Sequence, residues 1–105
     1  MSQIIKCRVA AINASASGDN TLVAAVSGSP ITVWKAWFVN TAAVNFKFKD
    51  GAAIDFHPAA VLSGNGSVFF AYDGQPYFTT TLGNALILNL SGAVQCSGVV
   101  YYTLG

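Results

Sequence analysis

Turn-forming residues recur in clusters along the chain at short intervals, mostly of about ten residues, and this spacing limits what the chain can fold into. The clusters combine Gly with Ser, Asn, Asp or Pro and lie at 17–20, 27–30, 50–51, 63–66, 73–76, 83–84 and 91–92. Segments of this length accommodate strands but leave little room for long helices. The spacing is therefore typical of an all-β sandwich or barrel.

The residues between the turns favour pleated, half-buried strands. The chain has no Glu, and it has eleven Val, six Ile, seven Thr and thirteen aromatic residues; the latter four groups are enriched in strands. We therefore predict a single all-β domain over residues 1–105, an antiparallel β-sandwich of about eight to nine strands. The predicted strands are 3–12, 21–26, 31–40, 43–49, 52–56, 67–72, 77–81, 84–91 and 94–103.

Two of these segments differ in how their apolar residues alternate. In 44–49, apolar residues alternate with Asn45, Lys47 and Lys49, which predicts a strand with one face in water. In 31–39 both alternate sets are apolar, with Ile31, Val33, Trp37 and Val39 on one face and Trp34, Ala36 and Phe38 on the other. A sandwich core covers only one face of a strand, so the second face needs a loop of the same chain or a neighbouring subunit. The scarcity of charge favours the subunit.

Charged residues are unusually scarce in this chain. Hydrophobic residues make up 53% of the chain and charged residues only 9%, with a mean hydropathy of +0.52, whereas an average domain carries about 25% charged residues. A folded monomer of this mass exposes roughly 5,600 Å², which leaves about one charge per 600 Å². Uncharged surfaces of this size favour association over a freely diffusing monomer.

The same composition excludes other classes of partner. A net charge of +1 gives no electrostatic footprint for nucleic acid. Polar residues interrupt every apolar stretch before it reaches the length of a membrane span, so we expect no membrane partner. Lys6 and Arg8 lie inside the apolar segment at 1–10, which is unlike a signal peptide. We therefore expect synthesis and assembly in a cytoplasm.

Residues suited to catalysis or metal binding are few. Three of the four carboxylates, Asp19, Asp50 and Asp73, lie in turn clusters, where Asp is common for backbone reasons. The single histidine, His57, could share a strand face with Asp55, but a loop histidine beside a proline is the simpler interpretation. No spacing indicates a zinc or calcium site. We therefore expect no enzymatic activity, no metal and no cofactor.

Two cysteines, Cys7 and Cys96, lie near opposite ends of the chain. In a reducing compartment, free buried thiols are more common than a disulfide. The alternative is a disulfide between Cys7 and Cys96, which requires the first and last strands to be neighbours.

Five aromatic residues bracket the turn at 73–76, namely Phe69, Phe70, Tyr72, Tyr77 and Phe78. Aromatic faces can stack on sugar rings, although core and interface packing are the commoner roles of such residues. The pattern therefore leaves a carbohydrate-binding platform as one hypothesis.

The segments 77–95 and 96–102, together with 14–23 and 44–51, resemble small β-sandwich virion proteins of tailed bacteriophages. The resemblance spans nearly the whole chain and rests on strand and turn patterns rather than on a catalytic motif. It implies a jelly roll similar to that of tumour necrosis factor, commonly trimeric, that serves as a head decoration (cement) protein or as a part of the tail or fibre.

Our leading hypothesis is a non-enzymatic homotrimer that binds the major capsid protein at the surface of a phage head. Because large aromatic residues dominate interface cores, the candidate contact residues are Trp34, Trp37, Phe38, Tyr101 and Tyr102. The alternative is a tail or fibre module that binds a receptor carbohydrate through Tyr72, Tyr77 and Trp34. Either assembly leaves open whether the first strand folds onto its own domain or onto a neighbour.

Overall fold

The computed structural model describes residues 6–105, and every regular element in that range is a β-strand. The ten strands are β1 (Arg8–Ala14), β2 (Gly18–Val23), β3 (Ile31–Asn40), β4 (Val44–Asp50), β5 (Ile54–Asp55), β6 (Ala60–Leu62), β7 (Ser67–Phe70), β8 (Phe78–Thr79), β9 (Leu86–Leu90) and β10 (Cys96–Leu104). The predicted all-β class is confirmed.

The strands form two antiparallel sheets that pack face to face. One sheet has the order β1-β10-β3-β7, with β8 also paired to β3, and the other has the order β2-β9-β4-β5, with β6 also paired to β4. Without the two-residue strands β5 and β8, each sheet has four strands, and consecutive strands alternate between sheets in the first half of the chain. This is the two-sheet arrangement of a jelly roll.

Most predicted strands coincide with observed ones, and the differences have local causes. The prediction missed β6, because the short segment Ala60–Leu62 follows Pro58 and shows no extended alternation. Asn65 has a φ of 57°, which confirms the tight turn at 63–66. The predicted first strand began at residue 3; the structure starts β1 at Arg8, and residues 3–5 lie outside the described range.

A β-bulge in the middle of β3 changes which residues face the core. Tyr101 pairs with Lys35 whereas Tyr102 pairs with Val33, so Trp34 has no partner in β10 and the alternation shifts by one residue. Val33 before the bulge and Phe38 after it therefore point to the same side, and both are fully buried.

The predicted division of this strand into two faces was wrong. The assignment of Phe38 to a contact surface is also wrong, because its side chain lies inside the sandwich.

An aromatic cluster at the centre of the core joins the two sheets. Phe38 of β3 packs edge-on against Phe46 and Phe48 of β4, with ring centroids 5.2 and 6.3 Å apart. Leu86, Leu88 and Leu90 of β9 complete the side of the core that the second sheet supplies. These contacts hold the outer faces of the two sheets in fixed positions.

The register of β1 and β10 resolves the question of the two cysteines. Cys96 lies opposite Ala14, and Cys7 precedes Ala14 by seven residues, which is about 23 Å along a strand. A disulfide needs Cα atoms within about 7 Å, so the chain holds two free thiols. Burial raises the pKa of both thiols.

Close contact between β10 and β3 requires a glycine at position 98. A Cβ atom there would lie 2.6 Å from the Cα of Phe38 and closer still to the carbonyl oxygen of Trp37. Both atoms belong to the backbone of β3, which pairs with β10 at this point, so the central strands themselves have to move apart to admit a side chain. The close approach of β10 and β3 therefore requires glycine, the residue without a side chain, at position 98.

Replacing Gly98 with Ala is expected to lower the free energy of unfolding by about 3 kcal/mol or more, because the added methyl group overlaps backbone atoms. Gly92→Ala is the matched control, since a Cβ at that position has no neighbour within 4 Å. Urea denaturation measures both variants. A loss of similar size in the two variants would contradict the steric explanation.

A buried carboxylate fastens the end of β4 to the loop before β9. Asp50 accepts hydrogen bonds from the backbone nitrogen of Thr81 at 3.0 Å, from the hydroxyl of Thr81 at 2.7 Å and from the side-chain amide of Asn84 at 3.0 Å. Burial raises the pKa of Asp50, but these hydrogen bonds outweigh burial and the net pKa is lowered. The carboxylate therefore stabilises the fold in its charged form.

Asp50→Asn is expected to destabilise the fold by about 1 to 3 kcal/mol at neutral pH, because an amide NH₂ group would face hydrogen-bond donors. Since folding lowers the pKa, the stabilisation is present above the ordinary value of 3.8 and is lost as the pH falls through the lower folded value. Denaturation at a series of pH values should show the two proteins converging in acid. Asp73→Asn, in an exposed turn, serves as the control; a deficit for Asp50→Asn that does not shrink in acid would contradict the assignment.

Candidate functional site

The outer faces of the two sheets differ sharply in chemistry. The outer face of β2-β9-β4, which we call the polar face, carries the ion pairs found in the described part of the chain. Lys47 lies 2.9 Å from Asp55, and Lys49 lies 3.4 Å from Asp19 and 3.9 Å from Asp55. Asn89 also donates a hydrogen bond to Asp19 at 2.7 Å. This face is suited to contact with water.

The outer face of β1-β10-β3-β7, which we call the apolar face, presents side chains of the opposite kind. From the strand register, its rows are Val9–Tyr101–Lys35, Ala11–Val99–Trp37–Phe69 and Asn13–Ser97–Val39–Ser67. The exposed fractions are 65% for Phe69, 59% for Val9, 45% for Val39 and 37% for Trp37. Four neighbouring strands thus contribute large apolar groups to one continuous exposed surface, which is the usual mark of an interaction site.

The polar groups of this face are already engaged within the chain. The ammonium of Lys35 lies 5.1 Å from the ring centroid of Tyr101, a cation–π contact. The indole nitrogen of Trp34 donates to the hydroxyl of Thr103 at 2.9 Å. The indole nitrogen is thus satisfied within the chain, whereas a partner that covers the face has to leave the Lys35 ammonium in water or offer it a hydrogen-bond acceptor.

The structure brings three of the five candidate contact residues to the apolar face. Trp34, Trp37 and Tyr101 lie on it, whereas Phe38 is in the core and the side chain of Tyr102 packs inward beside the core. The predicted contact residues did not include Val9, Val39 or Phe69, although Val39 was placed on an apolar face of 31–39 and Phe69 among the aromatic residues around the turn at 73–76. Their exposure depends on the pairing register and on the bulge in β3, which a single sequence does not display.

The aromatic residues around the turn at 73–76 do not form one platform. Phe69 and Tyr72 point outward, with the ring of Tyr72 6.2 Å from that of Trp34. Tyr77 instead stacks on Phe70 at 5.0 Å. Of the predicted sugar-binding set, the structure thus joins Trp34 and Tyr72 and separates Tyr77 from them.

Tyr77 and Phe70 belong to an open groove of about 380 Å³ between the sheets, lined by Phe46, His57, Ala60, Phe70, Tyr77 and Phe78. His57 offers no free hydrogen-bonding atom there. Its Nε2 accepts from the backbone nitrogen of Phe48 at 2.9 Å, and its Nδ1 lies 2.7 Å from the carbonyl oxygen of Pro58. The ring is thus held as the neutral tautomer with its proton on Nδ1.

The carboxylates also have structural partners. The hydrogen bond from Lys47 lowers the pKa of Asp55, and the positive charges of Lys47 and Lys49 lower it further. The described residues contain no group of three or more His, Cys, Asp or Glu side chains that could hold a metal ion. Within residues 6–105 there is also no helix long and apolar enough to cross a membrane.

Comparisons with known proteins leave the chain without a relative to define its family. No protein-family model matches the sequence, and neither a curated protein nor a solved structure gives a match.

Proposed function

We propose that this protein is a non-enzymatic structural subunit of a tailed-phage particle that assembles with copies of itself through the apolar face. The observation that carries the proposal is the contrast between the two outer faces. Ion pairs lie on one sheet, which also exposes Val61 in β6, whereas Val9, Trp37, Val39 and Phe69 are exposed together on the other. A free monomer would expose this second surface to water.

The energetics favour cover by another protein surface. Burial of apolar area contributes about 25 cal/mol per Å², and large aromatic side chains near the centre of an interface contribute most of the binding energy. Trp37 occupies such a central position, between Val99 and Phe69 in its row. It is therefore the expected anchor of the contact.

The proposed assembly is a homotrimer that decorates the phage head and binds the major capsid protein. The trimer and the capsid partner come from the resemblance to small jelly-roll virion proteins, and the jelly-roll order of the sheets is compatible with both. A rigid sandwich with one face buried between subunits leaves the polar face and the loops for the shell.

Trp37→Lys is expected to convert the assembly to monomers, because it places a charge at the centre of the proposed contact. Thr21→Lys is the matched control, since Thr21 is exposed on the second sheet opposite Ile87. Light scattering at micromolar concentration gives the mass of each variant, and circular dichroism checks that both remain folded. A monomeric wild-type protein would overturn the proposal of self-association; a wild-type trimer that fails to bind undecorated capsids would overturn the cement role alone.

A second candidate function is carbohydrate binding by a tail or fibre component, and the contact between Trp34 and Tyr72 favours it. Tyr72 is half exposed, and the two rings meet at an interplanar angle of 51°, so together they offer a shallow aromatic surface. This candidate predicts saturable binding to host polysaccharide that quenches tryptophan fluorescence. Tyr72→Ala should abolish the binding while Tyr77→Ala leaves it unchanged; binding that survives Tyr72→Ala would contradict this site.

A further inference from the structure

Most charged side chains of the described residues have a partner within the chain, and those without one lie outside the polar face. Lys47 and Lys49 have carboxylate partners, and the ammonium of Lys35 lies over Tyr101. Within residues 6–105 this leaves Lys6 and Arg8 as cations, and Asp73 as an exposed carboxylate, with no oppositely charged side chain in ion-pair contact. Residues 1–5 contain no acidic side chain that could pair with Arg8.

These unpaired charges lie at opposite edges of one sheet, and the register places Arg8 level with Phe78, the residue that begins β8 after the loop containing Asp73. Arg8 is in edge strand β1, opposite Tyr102; Tyr102 pairs with Val33, and Val33 pairs with Phe78 of β8. Asp73 lies in the loop 71–77, which connects β7 to β8 along the other edge. The side chain of Asp73 accepts only a local hydrogen bond, from the backbone nitrogen of Gln75 at 3.1 Å, among described contacts.

From this arrangement we infer a head-to-tail contact between copies of this chain, in which the loop 71–77 of one copy, with Asp73, meets the β1 edge of the next, with Arg8. The inference rests on the proposed self-association and specifies its geometry. A contact between two different edges repeats from copy to copy, and it closes into a ring when the rotation between copies divides a full turn, as in the proposed trimer. Each copy then uses both edges, and neither charge remains unpaired.

The size of the surface supports a second copy as the occupant. Four strands about 4.8 Å apart and about eight residues long cover roughly 500 Å² in projection. A standard interface uses about 800 Å² of accessible surface on each partner. Each copy in a ring makes two such contacts, so the apolar face is shared between them and supplies part of each, and the two charged edges supply the rest.

Charge reversal tests this geometry. Arg8→Glu and Asp73→Arg are expected to weaken self-association at least about tenfold each, because each places like charges opposite one another in the contact. The double variant has the same net charge as the wild type and swaps the two partners, so it should restore association to within about threefold. Dilution series in analytical ultracentrifugation measure the dissociation constants, and thermal unfolding checks that all three variants fold.

The results of these measurements distinguish an incorrect head-to-tail geometry from an absence of self-association. A wild-type assembly that neither single reversal weakens, or that the double reversal fails to restore, would overturn the head-to-tail geometry while self-association stands. A monomeric wild-type protein would overturn both. Rescue by the double variant supports the pairing, since general loss of stability or a change of net charge would not produce it.

Discussion

One extra residue in β3 decides how the whole sandwich is organised. Strict alternation from Ile31 and Val33 would direct Lys35 and Trp37 into the core and turn Phe38 outward. The bulge at Trp34 shifts the alternation by one residue, so Phe38 meets Phe46 and Phe48 inside and Trp37 is exposed. Burying an unpaired lysine costs far more than a local break in the ladder, and that difference accounts for the bulge.

The two sheets also differ in the chemistry of their outer faces. On the polar face, the lysines and carboxylates are close enough to satisfy one another, and Asn89 extends the network to Asp19. Individual surface ion pairs stabilise a fold only slightly, so their main effect is to make that face hydrophilic. The low overall charge is therefore not spread evenly: the apolar face is almost without it, and Lys35 there is shielded by Tyr101.

The fold could be predicted from sequence because turn residues and period-two alternation are local signals. β3 was located at its observed bounds, Ile31–Asn40, and the alternation of Val44, Phe46 and Phe48 identified the core side of β4. The contact surface was harder to predict because it depends on register. Val9, Tyr101 and Lys35 become neighbours only when β1, β10 and β3 pair, and Phe38 was misassigned because nothing in the sequence marks the bulge. The short strand β6 was missed because its three residues carry no periodic signal.

The same central strands explain why the apolar face can serve as a rigid contact surface. Gly98 lets β10 lie close against Trp37 and Phe38, and Asp50 fixes the loop that leads into β9 on the opposite sheet. Because these contacts fix the strands that carry it, the apolar face loses little conformational entropy when a partner covers it, which favours association. Its edges, however, remain open: β1 ends one side and β7 with β8 ends the other. Open edges invite pairing with any extended chain, so in the proposed ring the complementary charges of Arg8 and Asp73 would select a specific neighbour and cover both edges at once.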